Sequence, residues 1–229
     1  MSLLALDTGS PLVSVALARD GAVVAARSVE QERSSTRLLE MVREVLDEAG
    51  IGRGDLGAVA VLRGPGSFTG LRIGLATALG LHQALGIPAT ALPSLQVLAL
   101  AAALSGTTGG RVIAAVDALR GDWSAQAFVE GRPLGEMELV PGPELPRLAG
   151  GGEAVVTGFG VSRLREIPGW PADLRLLEPG PLAPAAAILA ASPETVWDPA
   201  LLTSAIYSRP PAVTLPKNRF PKPRVPALT

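Results

Sequence analysis

The chain has no cysteine and a single histidine, His82, among 229 residues. The first absence excludes disulfides, zinc–thiolate sites and cysteine nucleophiles. The second leaves no histidine pair for a metal and no histidine partnered for a triad, so His82 is expected to be a satisfied helix residue or an interface donor. No apolar run reaches the length of a bilayer span and no basic segment opens the chain, which points to a soluble, cytoplasmic protein with no membrane contact. Acidic residues are also missing from one region. Every Asp and Glu lies at or before Asp198, while Arg209, Lys217, Arg219, Lys222 and Arg224 follow it. The net charge of -1 therefore combines an acidic body with a basic end.

What is present is ample core material, 48% hydrophobic residues against 18% charged. Leu3 to Leu6, Val13 to Ala18 and Ala22 to Val29 read as strands, with Asp20-Gly21 as the turn of a hairpin. From Ser34 to Ala49 the apolar positions Leu38, Leu39, Met41, Val42, Val45, Leu46 and Ala49 have helical spacing, with Ser34, Ser35 or Thr36 available as a cap and Gly50 as a stop. Val59 to Leu62 reads as a buried strand, and Leu71 to Leu85 as a helix that is apolar nearly all round. Gly70, Gly74 and Ala78 recur every four residues and predict a shallow groove that serves either a helix of the same chain or a partner.

After a strand at Pro88 to Leu92 and a helix from Leu95 to Leu104, with Ser94 as its expected cap, the stretch 105–110 reads as a break. The pattern then starts again. Arg111 to Val116 ends at Asp117 as Leu3 to Leu6 ends at Asp7, and Trp123 to Val129, Glu130-Gly131 and Leu134 to Val140 give a second hairpin. Ala154 to Thr157 reads as a strand and Pro184 to Ala191 as a short helix. This order predicts an α/β protein with three parts: an N-terminal lobe at 1–106, a smaller C-terminal lobe at 107–209, and a Pro-rich basic tail at 210–229, expected to be extended or disordered. The tail either binds nucleic-acid phosphates weakly or is a solvated end that aids solubility.

The turn between Leu62 and Leu71 is Gly64-Pro65-Gly66-Ser67-Phe68-Thr69-Gly70. It lacks the lysine of a Walker loop and the flanking glycines of a nucleophile elbow. Ser67 or Thr69 is placed to cap the helix that follows. The stretch Gly64 to Gly74 resembles the signature of the bacterial TsaB (YeaZ) family. Leu3 to Thr8, Pro93-Ser94-Leu95, Asp117-Ala118-Leu119-Arg120 and Tyr207-Ser208-Arg209 are similar to further short segments of that family.

The resemblance implies a two-lobed actin-like ATPase (ASKHA) fold with a degenerate nucleotide site. It implies no catalytic residue, metal or cofactor of the chain's own. In that superfamily the loop after the first strand touches phosphate or metal, which makes Asp7, and by repetition Asp117, candidates. The alternative for Asp7 is an Asx-type turn, and that is the role expected here. The implied function is to bind and activate TsaD, the catalytic homologue. TsaD transfers a threonylcarbamoyl group to the adenosine beside the anticodon of tRNAs reading codons that begin with A, with the ATPase TsaE joining the complex. TsaD relies on two histidines four apart on a helix; the corresponding stretch here, Leu79 to Gln83, offers His82 alone. The first two helices are the implied partner surface, with Leu38, Met41, Val42, Val45, Gly70, Ile73, Gly74 and Ala78 as the seam and Arg37 and Arg72 at its rim. The same surface would form a homodimer when TsaD is absent. A small ATPase or kinase of the same superfamily and a stand-alone homodimeric binding module are the alternatives.

Overall fold

The computed structural model describes residues 1–30, 34–107 and 110–209. The basic tail beyond residue 209, and the side chains of Ser34, Ser35 and Thr36, lie outside the described residues.

Strands β1 (Ser2–Asp7), β2 (Leu12–Arg19) and β3 (Ala22–Glu30) form an antiparallel meander, and the Asp20-Gly21 turn has positive φ at both residues, as a tight hairpin requires. Helix α1 (Ser34–Glu48) leads to β4 (Ala58–Leu62), α2 (Phe68–Leu85), β5 (Ala89–Leu92) and α3 (Ser94–Leu104). The first sheet has the order β3-β2-β1-β4-β5, with β4 and β5 parallel to β1. The second half repeats it with β6 (Arg111–Asp117), β7 (Asp122–Val129), β8 (Arg132–Pro141), β9 (Ala154–Thr157) and β10 (Arg175–Leu177). Its order, β10-β9-β6-β7-β8, is the same topology read from the other edge. Where the first half carries α1 and α2, the second has the 3₁₀ segments Gly142–Ala149 and Val161–Glu166, and it ends in helix α4 (Ala183–Ala190).

The last helix of each half packs on the sheet of the other. Helix α4 lies against β1 and β2, and α3 lies against β6. Most of the α4 side chains are alanine, which lets the helix approach the sheet closely, and Ser14 on β2 accepts the free N–H of Ala183 at 3.1 Å. One apolar layer therefore joins both lobes: Leu3, Ala5 and Ala16 from the first sheet, Ala114 and Phe128 from the second, and Leu95, Leu98, Ala186 and Ala190 between them. A division at residue 106 separates the two sheets but not their packing. Residues 196–206 also return to the first lobe, where Thr90 Oγ1 donates to Val196 O at 2.8 Å and Ile206 N–H donates to Arg63 O at 2.7 Å.

Helices α1 and α2 cover the opposite face of the first sheet. Leu38, Met41, Val42 and Val45 of α1, and Leu75 and Ala78 of α2, pack there with Leu4, Leu6, Val59 and Val61. Ser67 caps α2 as its position predicts, accepting from Gly70 N–H at 3.3 Å. Ser94 does not cap α3. Pro93 occupies the cap position, and Ser94 is already helical.

Gly74 sits where α2 crosses β1 and β4: a Cβ there would lie 2.2 Å from Thr8 Oγ1 and 3.1 Å from Val61 Cγ2. Gly80, on the exposed side of the helix, has open space at the same position. Urea unfolding is expected to separate the two. Gly74→Ala should destabilise by about 1–3 kcal/mol through overpacking. Gly80→Ala should be neutral or stabilise by roughly 0.5–1 kcal/mol, the gain in helix propensity. Equal effects would show that α2 does not turn its Gly74 side to the sheet.

Candidate functional site

A cleft of about 800 Å³ opens between the lobes at the C-terminal ends of their parallel strands. This is the end at which open α/β sheets place their ligands. Its walls come from segments far apart in the chain: Gly9 to Pro11 after β1, Pro65 to Thr69 after β4, Ser94 at the start of α3, Val116 to Leu119 after β6, Phe159 after β9, and Tyr207 to Arg209. The short segments that carry the family resemblance thus meet at, or run directly into, one place.

Backbone contacts hold the first wall. Ser67 N–H donates to Gly9 O at 2.8 Å and Ser94 N–H donates to Gly64 O at 2.8 Å. Thr8 Oγ1 donates to Gly70 O at 2.7 Å. Gly64 has φ 107°, and a Cβ on it would lie 2.1 Å from Ile206 O, so this position excludes any side chain. At the rim the Phe68 and Tyr207 rings stand 5.0 Å apart. The Arg72 guanidinium lies over Phe68 at 4.0 Å and its Nε donates to the Tyr207 hydroxyl at 3.4 Å.

Asp7 makes the Asx turn. Its Oδ1 accepts from Gly9 N–H at 3.0 Å and Ser10 N–H at 3.2 Å. Its Oδ2 is buried with no hydrogen-bond partner among the described residues. Burial pushes the carboxyl up to about 6, against the opposing pull of the Ser10 side chain and the two N–H groups. Asp117 repeats the turn at the second lobe, accepting from Leu119 N–H at 2.8 Å, but its other oxygen is held by Arg163 at 2.6 Å.

These residues do not fit the metal-bound nucleotide that an actin-like cleft implies. Asp117 is already neutralised by an arginine, and Asp7 is enclosed in its turn. The glycine turn Gly158-Phe159-Gly160 is the segment of the second lobe placed to cradle a phosphate. The Gly160 N–H, and the Ser162 N–H just beyond it, are instead taken by the Glu178 carboxylate at 2.8 and 2.9 Å. The other glycine run, Gly150-Gly151-Gly152, is not among the cleft-lining residues. Among the described residues no group of three or more His, Asp or Glu is placed to hold a metal ion.

The expected partner seam is oriented differently from its prediction. Leu38, Met41, Val42, Val45, Gly70, Gly74 and Ala78 are buried against the chain's own sheet, because both helices need one full face to cover it. Ile73 is half-buried; Arg37 and Arg72 are exposed, with Arg37 paired to Glu40 at 3.0 Å and Glu44 at 3.3 Å on its own helix. The outward face is also apolar. A groove of about 510 Å³ runs between α1 and α2, lined by Leu39, Val42, Leu46, Leu81, Ala84 and Leu85 among others, and Leu39 is 66% exposed. Ala76, Gly80 and Ala84 form an exposed small-residue row on α2 with the same four-residue spacing as the buried one. The sequence reading missed this row. The signal that separates the rows is Thr8, whose side chain occupies the space over Gly74. His82 bonds within the fold, its Nδ1 lying 2.7 Å from Ile87 O.

Asp7 gives a pH-dependent prediction. Its folded pKa is raised, so the folded state holds the proton more tightly than the unfolded chain. The penalty of ionising it is absent below about pH 4 and complete above pH 6–7. An asparagine in its place keeps the turn acceptor without the charge. The stability of the Asp7→Asn variant relative to wild type is therefore expected to rise by up to about 3 kcal/mol between pH 4 and pH 8, read from urea midpoints. A pH-independent difference would show that the carboxyl is not desolvated.

Comparison with known proteins adds identity to this geometry. Residues 24–134 match the family model of TsaD, tRNA N6-adenosine threonylcarbamoyltransferase. The tRNA threonylcarbamoyladenosine biosynthesis protein TsaB of Escherichia coli K12 is 40% identical over 123 residues, 53% of this chain and 52% of that protein. The chain spans about half the length of the curated TsaB relatives it matches. Component A of the (R)-2-hydroxyglutaryl-CoA dehydratase of Acidaminococcus fermentans shares the fold at 14% identity, with a TM-score of 0.54 over 83% of this chain and 98% of that one. The architecture is the two-lobed actin-like ATPase fold. The solved structure of YeaZ from Pseudomonas aeruginosa is 33% identical with a TM-score of 0.67, covering 83% of this chain and 90% of that one. On that breadth of likeness, extending through both lobes, the chain belongs to the TsaB (YeaZ) family.

Proposed function

We propose that this chain is the non-catalytic subunit of a tRNA threonylcarbamoyl transferase, which binds TsaD and holds it active, and that TsaD docks on the outward face of α1 and α2. The observation that carries the reading is the open apolar groove between the two helices, with Leu39 standing out of it and the Ala76-Gly80-Ala84 row beside it. Small residues let a partner helix approach closely, and exposed leucines give it apolar area to cover. The TsaD family model matches the stretch that contains both helices. TsaD thus carries a related helix pair, and two such pairs form a four-helix contact. A cleft in which Arg163 neutralises Asp117, Glu178 takes the Gly160 and Ser162 N–H groups and Asp7 is buried in its own turn supports the accessory rather than the catalytic role. TsaE is the further protein partner on this reading. TsaD supplies the chemistry at the adenosine, and the basic tail gives at most a weak contribution to tRNA binding.

The test is reconstitution with TsaD from the same organism, TsaE, threonylcarbamoyl-adenylate and tRNA, counting modified adenosine. Gly74→Arg is unsuitable because it would disrupt the packing beneath α2. Gly80→Arg and Leu39→Glu change the outward face alone. Both variants should keep the wild-type melting temperature, raise the Kd for TsaD more than tenfold and reduce modification in proportion. Modification that proceeds equally without this chain, or with both variants, would overturn the reading. A homodimer unaffected by added TsaD would assign the groove to a second copy instead.

A further inference from the structure

Residues 204–209 cross the mouth of the cleft. They leave the 3₁₀ segment Pro199–Thr203 on the first lobe, where Arg63 Nη1 donates to Ser204 O at 3.3 Å and Ile206 N–H donates to Arg63 O. Tyr207 packs on Phe68 and accepts from Arg72, both in the first turns of α2. Two residues later, Arg209 reaches the second lobe. It pairs with Asp122 and donates to Leu119 O at 3.4 Å. Six residues thus tie the start of α2 to the β6–β7 hairpin.

That hairpin is strained. Leu119, Arg120 and Gly121 have φ of 65°, 60° and 84° in succession. Left-handed backbone is costly for leucine and arginine, and it persists where the surroundings over-determine it. Here the hairpin's own backbone bonds and the bond from Gly142 N–H to Gly121 O at 2.8 Å are joined by two arginines from distant segments. Arg163 fixes Asp117, which accepts the Leu119 N–H, and Arg209 fixes the Leu119 carbonyl and Asp122. Leu119 itself is 70% exposed, so no packing of its side chain substitutes for these contacts.

We infer that residues 204–209 are a latch. Arg209 holds the strained hairpin over the cleft, and Tyr207 passes the hairpin's position to the first turns of α2. Cleft opening and engagement of the outward α2 face are then one coupled event. The identity of the partner in that coupling rests on the reading above; the latch within the chain does not. Coupling of this kind is reciprocal: what loosens the latch weakens the partner, and what binds the partner tightens the latch.

Amide hydrogen exchange of the full chain, alone and with TsaD, tests it with Arg209→Ala and the near-isosteric Asp122→Asn. Alone, both variants should exchange at least tenfold faster across 118–122 and several-fold faster across 68–72, while β1 and β4 keep their wild-type protection as the control for folding. With TsaD, residues 118–122 should be slowed in wild type and not in Arg209→Ala, whose Kd for TsaD should rise at least threefold. Unchanged exchange at 118–122 in both variants would overturn the latch. A loosened hairpin with 68–72 and TsaD affinity as in wild type would overturn the coupling. Failure of wild type to bind TsaD would overturn the partner reading alone, since the first two measurements are made without it.

Discussion

At Gly64 three stretches of backbone come within contact of one another because no side chain stands between them. The turn after β4, the start of α3 and the segment after residue 203 meet there, through the bond from Ser94 N–H to Gly64 O and the close approach of Ile206 O. One residue earlier, Arg63 O takes the Ile206 N–H. A Cβ at this point would force apart the turn and the returning chain, and with them the wall that Ser67 completes by bonding to Gly9 O. The cleft is therefore specified by the backbone before any side chain is chosen to line it. The glycine is required for its left-handed φ as much as for the missing atom.

The crossing of α3 and α4 sets what the two lobes can do relative to each other. Each helix is committed to the sheet of the opposite half, so the layer of Leu3, Ala5, Leu95, Ala114, Phe128 and Ala186 is shared and cannot be divided without exposing it. Burial of that kind is the dominant favourable term in folding and resists separation of the lobes at their base. The mouth is held differently, by one ion pair, one ring contact and a few hydrogen bonds, mostly on exposed or half-buried groups. Contacts of that type are individually weak. Movement is thus confined by construction to the hairpins at the rim.

Much of the frame was legible in the sequence because its signals were local. Alternation and apolar runs marked nine strands, Asp20-Gly21 and Glu130-Gly131 marked two hairpins, and the repeat of strand, Asp, strand, hairpin, strand was confirmed by matching sheet orders. β10 was not legible, since three residues, Arg175–Leu177, carry no period. The faces of α2 were not legible either. The helix is apolar on both sides, and its buried and exposed small-residue rows, Gly70-Gly74-Ala78 and Ala76-Gly80-Ala84, have identical spacing. What selects between them is Thr8, more than sixty residues away from Gly74, and no periodicity contains that. For α1, where charged residues mark one side, the inward set was readable, but a partner seam was expected of residues that the sheet needs for itself. The latch was invisible for the same reason as Thr8: Tyr207 and Arg209 acquire meaning from Phe68, Arg72 and Asp122, which only the fold brings to them.

The polar groups of the cleft complete the argument for how a duplicated frame can serve as a scaffold. The features that would recognise a phosphate or its metal are present in outline and are either bonded from within or buried. Glu178 occupies the N–H groups at Gly160 and Ser162, Arg163 neutralises Asp117, and Asp7 commits Oδ1 to its own turn and has Oδ2 buried. An anionic ligand would have to displace a carboxylate that is already bound, and a cation would have to compete with a guanidinium covalently tethered nearby. Tethering gives such internal partners a high effective concentration, so modest contacts suffice to exclude a free ligand. The same internal contacts brace the cleft walls below the rim without a ligand. A surface meant to hold an enzyme in one arrangement benefits from that rigidity, because a preorganised face gives up less freedom when its partner docks.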